Sequence, residues 1–404
     1  MRSFPRLLAA FLAIALLLAA CGTPPASTPP EPPPIPSSTE APPPPEPDRA
    51  VLIAAGDNLI HDAIYLQAQR RAANGGYDFA PPYQHIAPIV AEADFAFINQ
   101  ETILAGDELP LSSYPAFCSP TQLGKHLMSL GFNLFATANN HSLDMGVRGI
   151  QAAGAFWDQQ QDVAVAGCYR TPEERDAIPL LTRNNITVAL IAATEHTNGI
   201  PQPADENFGV PLIGENLDQI LEKLNRASQM ADLVVLSLHW GIEGSDTPTD
   251  AQRELAQQLA EAGADIILGH HSHVLQSGEF IETSRGSCYV IYSLGNFISA
   301  QRGANNMAAG ILRLELEKDP GADRAHITGA SFIPTVTHYG PGYEEICIYP
   351  LSQYTPELAA AHGVRQYFPG FGMDYLEKEF AARSYDGRVE TAEFQQMTAS
   401  AIAA

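Results

Sequence analysis

Continuous apolar segments alternate with amphipathic segments along most of the chain. Seven apolar segments predict short buried strands, because strands covered on both faces lack the polar alternation of half-exposed ones. They are residues 50–55, 94–98, 133–138, 186–193, 232–238, 264–268 and 288–293. Amphipathic segments predict helices over 121–130, 149–160, 215–230 and 248–262. In the last helix we expect Thr247 as N-cap, Pro248 in the first turn and Gly263 as the stop. This alternation predicts an α/β fold.

The first 48 residues have a different pattern. Arg2 and Arg6 precede an apolar run that is too short to span a bilayer comfortably, and Cys21 follows it at once. Residues 1–20 therefore predict a signal peptide, and Leu18-Ala19-Ala20-Cys21 resembles a bacterial lipobox. That resemblance implies a lipoprotein with lipidation at Cys21, anchored to the cell membrane on its extracytoplasmic side. An ordinary signal peptide with an incidental cysteine is the alternative. Proline fills about half of the positions that follow, so residues 21–48 predict an extended tether.

The composition narrows the functional classes. The chain has 404 residues with 22 Lys+Arg against 46 Asp+Glu, a formal charge of −24. Such a surface repels nucleic acid and anionic lipid, which argues against polynucleotide binding as a main role. Beyond Cys21, four cysteines (Cys118, Cys168, Cys288 and Cys347) allow two disulfides in three connectivities in an oxidising compartment.

Polar residues of metal-binding types follow five of the predicted strands. They are Asp57, Asn99 and Glu101, Asn140 and His141, His239, and His271 and His273. Each has an ordinary alternative: Asp57 suits an Asx turn, Asn140 a helix N-cap, and His239 a satisfied core position. In open α/β sheets, however, ligands bind outside the carboxyl ends of the strands. Five such ends together predict a metal site.

The mixture of oxygen and imidazole donors indicates the class of metal. It suits Mn, Fe or Zn better than Ca, which prefers oxygen donors throughout. One or two divalent ions would activate water and stabilise developing charge. A histidine that is not a ligand could then donate a proton to the leaving group, and His141 is the candidate.

Six motifs in this order resemble the bacterial capsule-synthesis CapA family, which is associated with poly-γ-glutamate. They are Gly56-Asp57, Asn99-Gln100-Glu101, Asn139-Asn140-His141-Ser142-Leu143-Asp144, His239-Trp240-Gly241-Ile242-Glu243, His271-Ser272-His273-Val274 and Ser293-Leu294-Gly295-Asn296-Phe297. The resemblance implies a calcineurin-like metallophosphatase domain over residues 49–354, a four-layer α/β/β/α sandwich, followed by a helical extension over 355–404. It implies metal ligands at Asp57, Asn140, His239, His271 and His273, with His141 as the proton donor.

The chain also departs from the phosphoesterase pattern. The Asp-x-His motif that opens phosphoesterase sequences is absent, because His61 lies two positions too late after Asp57. The second phosphoesterase motif, Gly-Asp, is replaced by Asn99-Gln100-Glu101. Either Glu101 substitutes as the bridging carboxylate, or one of the two metal positions is weakened. Within the family pattern, His271 is preferred to His270 as a ligand. Residues expected beside the metals or substrate are His61, Asn99, Asn198, Glu243 and Asn296.

The sequence thus predicts a protein of poly-γ-glutamate or other envelope-polymer synthesis or export with a metal-dependent hydrolase-like cleft. Its expected partners are the membrane, through the N-terminal lipid, the anionic polymer and membrane synthase subunits. Two alternatives stay open. One is a non-catalytic accessory subunit that binds polymer or synthase, which the altered motifs favour. The other is a true metal-dependent phosphoesterase, since the same ligands would serve it.

Overall fold

The computed structural model describes residues 45–73, 75–205 and 207–385. Its strands are β1 Asp48–Asp57, β2 Phe95–Asn99, β3 Leu134–Ala136, β4 Ala164–Ala166, β5 Leu180–Arg183, β6 Ile186–Thr194, β7 Leu233–His239, β8 Ile266–His270, β9 Gly278–Thr283, β10 Gly286–Ile291, β11 Ala308–Lys318, β12 His326–His338 and β13 Cys347–Pro350. Its α-helices are α1 Asp62–Arg71, α2 Ala80–Tyr83, α3 Ala87–Ala91, α4 Thr121–Leu130, α5 Gly146–Trp157, α6 Pro172–Asp176, α7 Ile213–Met230, α8 Asp250–Ala262, α9 Pro356–Ala361 and α10 Met373–Ala381. The predicted signal peptide, the lipidation site Cys21 and most of the tether lie outside the described residues, as does the end of the C-terminal extension.

The strands form two sheets. The first has the order β13-β12-β11-β1-β2-β3-β4, and the second has the order β5-β6-β7-β8-β10-β9. Strands β1 to β4 run parallel, as do β6, β7, β8 and β10. Antiparallel strands β11 to β13 extend the first sheet beyond β1. Each sheet therefore presents a row of parallel carboxyl ends at one edge.

Strand β6 shows why the apolar segments are continuous. Val188 and Leu190 pack into the core between the two sheets, whereas Ala189 and Ile191 pack into a second core beneath α7 and α8. Both faces of the strand are buried, so both sets of side chains are apolar. Each large aliphatic side chain buried in this way contributes roughly 1.5–3 kcal/mol.

Helices α4 and α5 cover the outer face of the first sheet. Leu123 and Leu127 of α4 are fully buried there, and the ring of Trp157 at the end of α5 lies 4.8 Å from that of Phe135 on β3. With α7 and α8 covering the other sheet, the order of layers is helix, sheet, sheet, helix. The predicted four-layer α/β/β/α sandwich is confirmed.

Several local predictions needed correction. Helix α8 begins at Asp250, and its N-cap is Thr249 rather than Thr247, because Thr249 and Gln252 form a reciprocal capping box. Gly263 ends this helix as expected, with φ of 130°. The antiparallel strands β11 and β12 were not predicted because their polar, partly exposed positions break the continuous apolar pattern. Strand β13 was not predicted because it has only four residues.

Two further findings concern the cysteines and the membrane. Cys118, Cys168, Cys288 and Cys347 are all free thiols, so neither of the two allowed disulfides is present. Burial raises the pKa of the Cys118, Cys168 and Cys347 thiols to about 11. None of the described helices is both long and apolar enough to cross a bilayer.

Candidate metal centre

The carboxyl ends of parallel strands from both sheets meet in one cleft. Asp57 and Asn99 are the last residues of β1 and β2 in the first sheet, and His239 and His270 are the last residues of β7 and β8 in the second. The Asp57 amide donates a hydrogen bond of 2.9 Å to the carbonyl oxygen of Gly295, which follows β10. The two sheets are therefore tied together directly beneath the cleft.

Asp57, Glu101 and His273 form the centre of this cleft. One potential ligand atom from each lies within 4.8 Å of those of the other two, and all three residues are buried. His273 Nδ1 lies 3.1 Å from Asp57 Oδ2, and His273 Nε2 lies 3.8 Å from Glu101 Oε1. Two carboxylates and an imidazole thus face one small volume.

His239, His271 and Asn99 complete the wall of the cleft. His271 Nδ1 lies 3.1 Å from His239 Nε2, which is itself 3.7 Å from Glu101 Oε1. Asn99 donates a 2.8 Å hydrogen bond from Nδ2 to Asp57 Oδ1. The amide of Asn99 therefore fixes the orientation of the Asp57 carboxylate.

The backbone around the histidine loop adopts conformations suited to this crowding. Gly269 allows close approach, because a Cβ there would meet the carbonyl oxygen of Tyr292 and the indole nitrogen of Trp240. His271 and His273 have positive φ values of 88° and 59°, which side-chain-bearing residues adopt rarely. Such strained positions persist where the surrounding structure determines them, and they concentrate at functional sites.

The ionisation of the cluster reflects the burial of opposite charges together. Burial opposes ionisation of Asp57, but the hydrogen bonds and charges of His270 and His273 hold the pKa of Asp57 well below its ordinary value. Burial, with the charges of Asp57 and Glu243, raises the pKa of Glu101 well above its usual range. Burial disfavours the imidazolium of His273, yet Glu101 and Asp57 together raise the pKa of His273 to about 9. Burial lowers the pKa of His271 to about 4.

Several buried oxygens in and around the cleft have no hydrogen-bond donor among the described residues. They are both carboxylate oxygens of Glu101 and the side-chain oxygens of Asn99 and Asn140. A buried acceptor without a partner costs roughly 1–3 kcal/mol, and more when it is charged. A divalent cation would satisfy these oxygens and favour ionisation of both carboxylates. The donor set therefore fits such a cation.

A second group of polar residues lies beside this cluster. The imidazole Nδ1 of His141 is 2.8 Å from Asp144 Oδ2, and the ring stands edge-on against Phe117. Asn140 donates from Nδ2 to Asn198 Oδ1 at 3.2 Å. The Asn198 amide donates to His196 Nδ1, and the His196 ring contacts that of His271. The loop around Asn198 therefore links this group to the Asp57–Glu101–His273 cluster.

Comparisons with known proteins agree with this arrangement of motifs. Residues 51–301 match the family model described as bacterial capsule synthesis protein PGA_cap. The chain belongs to this family. The PGA biosynthesis protein CapA of Bacillus subtilis is 34% identical over 265 residues, which cover 61% of this chain and 63% of that protein. The capsule biosynthesis protein CapA of Bacillus anthracis is 28% identical over 244 residues, covering 58% of this chain and 57% of that protein.

The chain therefore spans less than two thirds of the length of either CapA relative. Among solved structures, a 5'-nucleotidase precursor from Thermus thermophilus is similar with a TM-score of 0.43 and 14% identity, covering 83% of this chain and 58% of that one.

Three residues that the sequence associated with the PGA_cap cleft lie at its margin. His61 packs edge-on against Phe117 opposite His141, with its Nδ1 3.2 Å from the amide nitrogen of Ala300, and burial lowers its pKa to about 4. Glu243 is exposed and influences Glu101 and His273 through its charge. Asn296 donates to Ser299 Oγ and Gln301 Oε1, which places its amide in a loop behind Asp57.

Two residues received no role from the sequence but lie at the site. His270 Nδ1 is 3.3 Å from Asp57 Oδ1, and its ring stacks on Phe97. Asp144 holds His141 and accepts a hydrogen bond from the Phe117 amide as well. The spacing of Asp144 three residues after His141, in the turn that follows β3, was the available signal. His270 gave no comparable signal, because three histidines in four positions do not reveal which ring turns inward.

Proposed function

We propose that this protein is a metal-dependent hydrolase of the cell envelope that acts on poly-γ-glutamate during capsule polymer synthesis or export. The carrying observation is the buried Asp57–Glu101–His273 cluster with its unsatisfied oxygens. The polymer is suggested by the PGA biosynthesis protein of Bacillus subtilis, with which the chain shares 34% identity.

The residues that would hold divalent metal are Asp57, Glu101, His239, His271 and His273, with Asn140 at the edge. When bound, a divalent cation polarises a carbonyl oxygen and lowers the pKa of water. Asn99 keeps the Asp57 carboxylate oriented through its 2.8 Å hydrogen bond. The buried walls of the cleft exclude bulk water, which strengthens every electrostatic interaction within it.

His141 is suited to move the proton. Asp144 accepts from Nδ1, so the imidazole is held in one orientation with Nε2 left for proton transfer. In hydrolysis of a γ-glutamyl amide, water adds to the carbonyl carbon and the carbon–nitrogen bond breaks. His141 Nε2 takes the proton that the attacking water loses and then delivers it to the departing amine. The reaction consumes one water and yields one carboxylate and one amine.

The proposed location is the outer side of the cell membrane, where lipid on Cys21 would anchor the chain. The supporting observation is the sequence pattern of a basic segment, a short apolar run and Cys21. The proline-rich tether would hold the domain away from the bilayer, in reach of polymer and of membrane synthase subunits. Mass spectrometry of the N-terminal peptide from membrane fractions tests this anchor.

Metal content of the soluble domain from Asp48 onward, measured by mass spectrometry, tests the centre. We expect one or two divalent ions per chain, lost in the His271→Ala, His273→Ala variant. We then expect release of new amines from poly-γ-glutamate by the metal-loaded protein. His141→Ala should retain the metal and lose most of that turnover, by a factor of roughly 10²–10⁴.

Two other results would replace this function with one of its alternatives. If metal binds but no polymer is cleaved, and the polymer still binds His141→Ala, the protein is an accessory binding subunit. The altered motifs at His61 and Glu101 are the observation that supports this alternative. Hydrolysis of a phosphate ester, with the same dependence on His141, would identify a phosphoesterase instead.

A further inference from the structure

A separate cavity lies on the α7 side of the second sheet. Its volume is about 390 Å³, within the roughly 300–1,000 Å³ range of small-molecule sites. Helix α6, helix α7 and residues 202–203 and 208–211 form its walls, and β6 contributes Ile191 and Ala192. No residue of the Asp57–Glu101–His273 cluster lines it.

Cations concentrate around this cavity in a chain that has few of them. Arg175, Lys223 and Arg226 line it, whereas the whole chain has only 22 Lys+Arg against 46 Asp+Glu. Arg175 and Lys223 are half-buried, while the acidic lining residues Asp176, Glu215 and Glu222 are exposed. The positive groups therefore lie deeper than the negative ones.

Lys223 is the cation best suited to receive a ligand. Arg226 is already paired with Asp176, at 2.5 and 3.2 Å. The Lys223 ammonium donates one 2.6 Å hydrogen bond to the carbonyl oxygen of Arg175 and lies 5.1 Å from the centre of the Tyr169 ring. Among the described residues no carboxylate forms an ion pair with it. Burial lowers the pKa of Lys223 to about 8, and a bound anion would favour its charged form.

The remaining lining matches an amide-linked chain with short aliphatic arms. Tyr169, Phe208 and Ile191 supply apolar surface, and Asn216 and Gln219 supply side-chain amides beside it. Each γ-linked glutamyl residue carries one backbone amide, two methylene groups and a free carboxylate. Cation, amide and apolar surface are thus all present for such a repeat.

A single loop connects this cavity with the metal cleft. At its start, Asn198 contacts Asn140 and His141. At its end, Gln202 bonds both the amide and the carbonyl of Val210, which closes the loop against the cavity. A chain held in the cavity would therefore be retained beside the cleft.

We propose that the cavity is a second binding site for a short γ-linked glutamate segment, with Lys223 pairing with one of its carboxylates. The choice of polymer rests on the proposed function, whereas the site itself stands on the cavity, its cations and its amides. Its role is to retain polymer during successive events at the cleft.

Binding of a fluorescent γ-linked glutamate hexamer to the full chain, measured by anisotropy, tests this site. We expect Lys223→Met to weaken binding at least tenfold, while Lys223→Arg retains it. Lys125→Met is the matched control, because Lys125 is exposed on α4 away from the cavity. Equal affinities of Lys223→Met and the parent chain would overturn the proposal.

A second variant guards against misfolding of Lys223→Met. Gln219→Glu adds a negative charge at an exposed rim position and should weaken the hexamer severalfold without changing the melting temperature. Unchanged affinity there would also overturn the site. Lys223→Met should weaken the hexamer by the same factor in a His271→Ala, His273→Ala background, so loss of metal or of hydrolysis leaves this inference separately testable.

Discussion

The protein buries two groups of histidines, and the groups differ in what completes their bonding. In the cleft, His239, His271 and His273 lie against carboxylates and one another, beside oxygens of Glu101 that no described residue satisfies. Under the C-terminal segment, His338 and His362 are equally buried, but protein groups satisfy them. Burial of histidine therefore does not indicate metal; unsatisfied oxygen acceptors around the ring do.

The satisfied group is a packing feature. His362 accepts the Val364 amide at Nδ1, and its Nε2 lies 3.0 Å from the carbonyl oxygen of Thr337. The Tyr354 hydroxyl lies 2.9 Å from His338 Nδ1. Both rings also pack against aromatic neighbours, and the two rings lie 4.9 Å apart. Neutral imidazole suits these partners, so a cation is not needed here.

Asp57→Ala should produce the largest difference between the groups. The change removes a central carboxylate and leaves His273 buried beside a single acid, so metal affinity should fall by on the order of 100-fold or more. Unfolding free energy should fall by about 3–5 kcal/mol, the usual effect of breaking a buried ion pair. Metal analysis and urea unfolding measure both effects. His362→Gln is the control and should retain metal; equal metal loss in both variants would contradict the distinction.

Acid should destabilise the protein in part through the satisfied group, in addition to the cleft histidines whose pKa values are also lowered. Burial lowers the pKa values of His338 and His362 to about 4, whereas an unfolded histidine titrates near 6.5. The unfolded chain therefore binds protons first, and stability falls as the pH decreases from about 6.5 to 4. Each histidine contributes up to about 3 kcal/mol to that loss.

Urea unfolding of metal-free protein at pH 7 and pH 4.5 measures this loss. His362→Gln lacks one titrating ring, so its stability should fall by about 2 kcal/mol less than that of the parent. Because both proteins are metal-free, the cleft histidines contribute equally to the loss of unfolding free energy in the parent and in the variant. An equal loss in parent and variant would show that His362 is charged in the folded state.

Glu101→Gln should have opposite effects with and without metal. In metal-free protein the change replaces a buried acid that lacks donors, so the free energy of unfolding should rise by about 1 kcal/mol. With metal, loss of the negative ligand should weaken affinity by roughly 10- to 100-fold. Thermal unfolding with and without chelator measures the reversal. A fall in stability under both conditions would show that Glu101 is a structural acceptor.

The sequence predicted the position of the cleft better than its internal contacts. Asp57, Asn99 and His239 each end a strand, and parallel strands bring their carboxyl ends together whatever the loops do. The contact of His270 with Asp57 depends on the close approach to Tyr292 that Gly269 allows and on positive φ at His271. No periodicity encodes that geometry.

The C-terminal histidines show the same limit of prediction from sequence, here for the satisfied group. His362 stands alone in the sequence, and the structure gives it two bonded nitrogens. Those partners come from β12 and from the turn after α9, which only the tertiary fold brings together. Strands β11 and β12, which bring these residues together, mix polar and apolar positions, so the sequence pattern did not predict their pairing.

The smallest expected effect comes from removing one of two tyrosine hydroxyls. The Tyr83 hydroxyl lies behind the cleft, and the Tyr354 hydroxyl lies beside the satisfied histidines. Tyr83 donates to Asn58 Oδ1 at 2.8 Å, and Asn58 donates to Gln100 Oε1 at the same distance, next to Glu101 in the chain. Of the two histidine groups, Tyr354 contacts the second, through His338. Removing either hydroxyl leaves a buried polar partner, so Tyr83→Phe and Tyr354→Phe should each lose about 1 kcal/mol of stability.

Only Tyr83→Phe should also alter metal binding. Without the Tyr83 hydroxyl, Asn58 and Gln100 lose part of the constraint that holds the backbone on the amino side of Glu101, and supporting shells of this kind affect metal affinity by roughly tenfold or more. Metal titration of both variants at one pH measures the difference. A similar loss in Tyr354→Phe would mean that the two histidine groups are coupled through the fold, because no described contact joins Tyr354 to the cleft.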